Sequence, residues 1–319
     1  MINNGALVFA PAVLVALLVD HCLGEPKASL HPVVWMGNYL NWAAKRLRPN
    51  PSPVVRDLKS FWLAAAFWST GGALVLIVAC VVQWAVFQLP WILAALLLGL
   101  ALKPMLAWAM LRSEVQAVEL ALGQSLDAGR QRLAMLVSRD TSTLSGSEVR
   151  ESAIESLAEN LNDSVVAPIF WFVLLGLPGA AVYRFANTAD AMWGYKGLRD
   201  GINWEWAGKW AARADDVLSW LPARITALLL AMVAGGVNVR VLMLEARKTP
   251  SPNSGWPMAA MALALKVSLR KPGVYVLNPG GHQAQELDTV LAQKYALKVA
   301  VSACLCAQAA IFFIAMVFA

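Results

Sequence analysis

The chain is poor in charge. Only 14% of its 319 residues are Asp, Glu, Lys or Arg, against about 25% in soluble domains. With 59% hydrophobic residues and a mean hydropathy of +0.56, it is not a soluble domain. The apolar runs do not alternate in polarity, which excludes a membrane barrel and leaves helices. Histidine is scarce: His21, His31 and His282 show no metal-binding spacing such as HExxH. The four cysteines, Cys22, Cys80, Cys304 and Cys306, lie in or beside apolar runs. Buried, inert thiols are the expectation, not a redox or zinc site. Neither GxxxxGK[ST] nor GxGxxG occurs, so any nucleotide site is not of the P-loop or Rossmann type. The net charge of +6 is dispersed, without a basic arm or a nucleic-acid fold motif, so nucleic acid is not an expected partner. There is no internal repeat and no low-complexity linker.

What is present is a set of six apolar segments, at 5–23, 61–83, 90–110, 165–183, 221–237 and 299–319. Spanning takes about 20 apolar residues. The expected fold is all-α: one polytopic helical membrane domain over 1–319, in contact with lipid, with polar cytoplasmic loops and interfacial helices. The first segment lacks a basic leader and a small-residue cleavage site, and reads as a retained span. Between Gly24 and Ser60 stand six basic residues against two acids, and between Met243 and Lys298 seven against three. The positive-inside rule puts these loops in the cytoplasm, in a multi-pass protein of the inner (cytoplasmic) membrane. Pro49–Pro53 forms a short stiff connection. The motif-bearing loops must meet on one side, so the fourth and fifth segments are not each expected to cross as ordinary lipid-facing helices. Pro168, Gly176, Pro178 and Gly179 permit a break in the fourth, and the fifth is short with Gly235 and Gly236. Cysteine labelling at Gly201 would test the sidedness.

The densest polarity falls in 139–163. Glu151, Glu155 and Glu159 recur every four residues, so a helix puts them on one face. Asp163 extends that face and Asn160 adjoins it. Like charges at this spacing repel. Either the face is solvated, or a cation or cationic ligand neutralises it. Further polar blocks lie at 20–37, at 184–199 (Asn187, Asp190, Tyr195, Lys196), at 213–224 (Asp215, Asp216, Arg224) and at 251–257. Ser251, Asn253, Ser254 and Gly255 make a turn-rich loop whose backbone N–H groups can cradle an anion. Each block alone also fits an interfacial helix or a plain connector.

In order, LGEP…HPV…G, Arg139-Asp140-Thr141, the E-S-x-A-E-N-x-x-D block at 155–163 before Ala167-Pro168, the N-T-x-D-x-M-x-G-Y-K block at 187–196, D-D…P-A-R at 215–224 and S-P-N-S-G at 251–255 resemble the adenosylcobinamide-phosphate synthase family of cobalamin biosynthesis, over about residues 14–265. The chain departs from many relatives at Met258 and Leu263, where they carry Glu and Gly. The resemblance implies an ATP-dependent amide ligation. The carboxylate of the corrinoid adenosylcobyric acid, activated most simply as an acyl phosphate, is joined to aminopropanol or its phosphate. It implies catalytic roles for Glu155, Glu159, Asn160, Asp163, Asp190, Lys196, Asp215 and Asp216. Substrate or phosphate binding falls to Arg139, Asp140, Thr141, Asn187, Tyr195, Arg224, Ser251, Asn253, Ser254 and Gly255. Mg²⁺ would take Glu155, Glu159 and Asp163 as ligands. A phosphate on the SPNSG loop predicts that Gly255→Val folds but binds it poorly. A transporter would carry its ionisable groups inside the spans, which here are nearly charge-free. A non-catalytic sensor would have no use for the acidic blocks.

Overall fold

The computed structural model describes residues 4–47, 56–199 and 202–317; the 49–53 connection and Gly201 lie outside them. In chain order the helices are α1 (Asn4–Leu23), α2 (Pro32–Ala44), α3 (Leu58–Val86), α4 (Trp91–Leu102), α5 (Trp108–Gln124), α6 (Leu126–Leu133), α7 (Gly146–Leu161), α8 (Ala167–Trp193), α9 (Trp204–Ala207), α10 (Lys209–Leu218), α11 (Trp220–Val233), α12 (Val239–Ala246), α13 (Gly255–Leu265) and α14 (Glu286–Val317). Two antiparallel ribbons, β1 (Leu198–Arg199) with β2 (Ile202–Asn203) and β3 (Leu269–Lys271) with β4 (Tyr275–Leu277), are the described sheet structure. Five helical stretches are long and apolar enough to cross a membrane, or six if a bent pair counts as one span. The protein is an all-α, multi-pass membrane protein.

The chain divides into two compact units. The first comprises Met1–Leu106, Ala167–Leu218 and Ala307–Ala319. Here α1 packs on α4, and α8 packs on α2, α3 and α10. α3 has only 22% of its most apolar window buried, whereas the stretch ending in α8 has 67%. The fourth apolar segment lies within Gly146–Trp193, which is also long and apolar enough to cross a membrane. Gly176 breaks α8 with φ 69° and ψ −158°, a conformation that disfavours any residue with a Cβ. The Leu177 N–H freed there donates to Gln83 Oε1 at 2.8 Å.

From Trp91 on, the third apolar segment falls within a stretch long and apolar enough to cross a membrane, Trp91–Gln124, but is interrupted. It is not one helix: α4 ends at Leu102 and a 3₁₀ turn, Lys103–Met105, precedes α5. Lys103 is 3% exposed. Its Nζ lies 3.3 Å from Asp20 Oδ1 and 2.7 Å from Glu25 Oε2, and His31 Nε2 meets the same Glu25 oxygen at 3.0 Å. A buried ion network therefore sits where the sequence read as apolar, because Lys103 and Asp20 neutralise each other. The cysteines differ too: Cys304 is buried, but Cys22, Cys80 and Cys306 are exposed.

The second unit comprises Ala107–Val166 and Ser219–Cys306. Its central helix, α7, starts with a full capping box: Ser145 accepts from the Glu148 N–H while Glu148 accepts from the Ser145 N–H. α7 packs against α5, α6, α13 and β3, and Ile154, Leu157 and Leu161 are wholly buried. It ends in a five-residue π turn, Asn162–Val166, a deformation found mostly at functional sites. α11 stops at Val233, short of the fifth segment's predicted end, ahead of Gly235 and Gly236.

Candidate functional site

At Glu151 and Glu155 the acidic face of α7 is buried and ion-paired. Glu151 is 0% and Glu155 4% exposed. Arg270 Nε reaches Glu151 Oε2 at 2.9 Å. Arg139 Nη2 donates to Glu155 Oε2 at 2.8 Å and to Ser152 Oγ at 2.6 Å. The expected neutralising cation is therefore supplied, at these two positions, by guanidinium groups of the chain itself.

Beside this pair lies a cavity of about 160 Å³, lined by Arg139, Ser152, Glu155, Ser156, Glu159, Asn160, Met258, Lys271 and Tyr275, with Leu136, Val137 and Ser138. Asn160 Nδ2 is held by the Ser156 carbonyl at 2.9 Å. Lys271 and Tyr275 face each other across the hairpin as a paired register position. The Tyr275 hydroxyl directs its best hydrogen-bond geometry at Met258 Sδ, 3.7 Å away, and stands beside Glu155. Burial, and after it the negative charge of Glu155 and Glu159, pushes its pKa far above the ordinary value. It stays a protonated donor. Arg139 Nε and Nη1 and Glu155 Oε1 are buried and meet no hydrogen-bond partner.

The other predicted residues of this unit shape its loops. Asp140 Oδ1 accepts from the Ser142 N–H at 2.9 Å, which holds the carboxyl below its usual range. Thr141 Oγ1 donates to the Arg130 carbonyl at 3.0 Å. In the π turn, Asn162 Nδ2 donates to Asp163 Oδ1 at 2.8 Å, and Thr226 Oγ1 lies 3.1 Å from Asn162 Oδ1. In the SPNSG loop, Ser251 Oγ already accepts from the Asn253 and Ser254 N–H groups, both at 3.2 Å. Arg224 clamps the loop from α11, with Nη1 2.6 Å from Asn253 Oδ1 and Nη2 3.1 Å from the Pro252 carbonyl.

The structure corrects the expectation for Gly255. A Cβ there would fall on the Ala246 carbonyl and Thr249 Oγ1, backbone and side chain of the preceding turn. Gly255→Val is expected to lower stability by about 1–3 kcal/mol through overpacking, whatever the loop binds. Thermal unfolding in detergent checks this, and an unchanged midpoint would refute it.

In the first unit, α8 and α10 bring another predicted set together. Asn187 Nδ2 lies 3.4 Å from Asp215 Oδ1, and Arg184 Nη1 3.5 Å from Asn187 Oδ1. Lys196 is within electrostatic reach of Asp216. The Asp190 carbonyl accepts from the Gly194 N–H at 2.7 Å. Tyr195 donates to the Ala191 carbonyl, and Arg199 stacks 3.7 Å over its ring.

Among the described residues, no three His, Cys, Asp or Glu side chains converge to hold a metal, so Glu155, Glu159 and Asp163 do not form a three-carboxylate cage. Mg²⁺ usually takes only one or two carboxylates, completing its shell with phosphate oxygens and water. Reasoning from sequence missed Ser152, Ser156, Arg270, Lys271 and Tyr275. The Lys271-Pro272-Gly273 turn between alternating residues was the local hairpin signal.

A multi-pass helical membrane protein with buried carboxylate–guanidinium pairs, one of them lining a polar cavity, is the class these observations define. Residues 13–302 match the family model described as CobD/Cbib protein, and the chain belongs to the CobD/CbiB family. It is 40% identical over 272 residues to the "Probable cobalamin biosynthesis protein CobD" of Methanothermobacter thermautotrophicus, covering 83% of this chain and 85% of the relative. With the protein of the same name from Thermococcus kodakarensis it shares 42% over 262 residues, 82% and 83% of the two chains. It is 35% identical over 301 residues to the "Cobalamin biosynthesis protein CobD" of Brucella anthropi, 86% and 88% covered. No solved structure matches.

Proposed function

We propose that the protein is a cobalamin-biosynthesis ligase of the cytoplasmic membrane, joining adenosylcobyric acid to aminopropanol or its phosphate at the expense of ATP. The observation that carries the reading is the buried Arg139 guanidinium, with two N–H groups unmet beside a buried carboxylate. That arrangement suits a reaction between an anion and an amine. ATP with Mg²⁺ supplies the phosphoryl group that turns the corrinoid carboxylate into an acylating group. The residues of this chain then do three things. Guanidinium and ammonium groups hold anionic oxygens in a sheltered site, where such contacts gain strength. A carboxylate accepts the proton the amine sheds as the C–N bond forms. Tyr275, kept protonated, stands beside Glu155. The positive-inside charge pattern supports a cytoplasmic location for the polar loops.

The test is incubation of the purified protein with adenosylcobyric acid, aminopropanol phosphate and Mg-ATP. Mass spectrometry is expected to find the amide product with release of ADP. Absence of product with all three present would overturn the reading.

A further inference from the structure

The cavity between α7 and the β3–β4 hairpin has hydrogen-bonding capacity of both signs. Arg139 uses Nη2 on Ser152 and Glu155, while Nε and Nη1 meet no acceptor. Glu155 gives Oε2 to that guanidinium; Oε1, in a side chain only 6% exposed, accepts nothing. Lys271 lines the cavity within electrostatic reach of Glu155, and the Glu159 carboxylate lines it too. Buried donors and acceptors are normally satisfied. A ligand that satisfies this set must bring anionic oxygens to Arg139 and Lys271 and an N–H donor to Glu155 Oε1. A plain anion leaves the carboxylate unmet, and a plain amine leaves the guanidinium unmet. The volume of about 160 Å³ suits a small molecule and is too small to enclose a nucleoside or a corrin ring.

We propose that this cavity is the subsite for the amine co-substrate: it takes a small zwitterion with a phosphate ester on Arg139 and Lys271 and its amine against Glu155 Oε1. The identity of the amine as a co-substrate rests on the ligation reading above. Glu155 Oε1 is then placed to hold the amine nitrogen within the cavity. Arg139 serves twice, bracing that carboxylate through Nη2 and gripping the anion through Nε and Nη1. Lys271 and Tyr275, presented side by side by one hairpin, close the anionic and carboxylate ends together.

Lys271→Gln is the informative variant, because Lys271 is exposed. Full-length protein in detergent is titrated calorimetrically, and separately, with aminopropanol phosphate, inorganic phosphate and Mg-ATP. Aminopropanol phosphate is expected to bind without nucleotide, and Lys271→Gln to weaken it about tenfold or more by loss of a charge-assisted contact. Mg-ATP binding is expected to stay unchanged. Glu155→Gln is expected to weaken aminopropanol phosphate more than inorganic phosphate. The subsite is overturned if aminopropanol phosphate does not bind, if Lys271→Gln leaves its affinity intact, or if the variant weakens Mg-ATP instead. The two readings fail separately. Binding without any amide product removes the ligation reading and leaves the subsite. Product formation with an unchanged KM for the amine in Lys271→Gln removes the subsite and leaves the ligation.

Discussion

Arg139→Met is expected to destabilise the protein by about 3–5 kcal/mol, the usual result of removing one partner from a buried ion pair. Methionine keeps much of the side-chain volume, so the loss reports charge and not a hole. Glu155 would be left with its side chain 6% exposed and no counter-ion for Oε2. The double variant Arg139→Met/Glu155→Gln removes the stranded charge and is expected to recover most of the stability. Turnover behaves differently. Both variants lose the anion-holding guanidinium, and kcat is expected to fall roughly a hundredfold or more, as when one preorganised donor to developing charge is removed. Chemical unfolding in detergent together with the mass-spectrometric assay separates the two effects. A single variant as stable as the wild type would show that Glu155 does not depend on Arg139.

The second large effect lies in the other unit. Lys103→Met leaves Asp20, wholly buried, and Glu25 without their shared cation. A loss of about 3–5 kcal/mol is again expected. Here the rescue is Lys103→Met with Asp20→Asn and Glu25→Gln, and its recovery would show that net charge, not shape, was at fault. A wild-type unfolding midpoint in the single variant would contradict the burial of the network.

The two ion networks show where the sequence was legible and where it was not. The i, i+4 spacing of Glu151, Glu155 and Glu159 predicts a shared helix face, and α7 provides it. Spacing cannot tell whether such a face meets water or protein, since Arg270 arrives from a distant part of the chain. Arg139 was legible through its Arg-Asp-Thr motif, but its contact with Glu155 required the loop to fold back over α7. Continuous apolar runs located the spans well. They concealed the break at Lys103, because averaging hydropathy over a window hides one charge whose partner is Asp20. In the fourth segment, Pro and Gly mark a departure from regular helix, and Gly176 takes a positive φ there. The SPNSG loop reads as an open nest by composition, yet the Ser251 hydroxyl occupies two of its donors, a choice made by side-chain rotation and invisible in a motif.

The bond between Arg270 and Glu151 spans 119 positions, and the segment Ala167–Leu218 of the other unit is made in between. Synthesis proceeds at about 5–20 residues per second, so Glu151 waits roughly 6–24 s on the ribosome for its counter-ion. Arg139, by contrast, precedes Glu155 and is ready when it emerges. The two acids of one helix face are thus settled at different times. Glu155 can pair while the chain is still growing, whereas Glu151 cannot pair until the hairpin has left the tunnel. Closure of this unit is therefore a late event in the life of the nascent polypeptide.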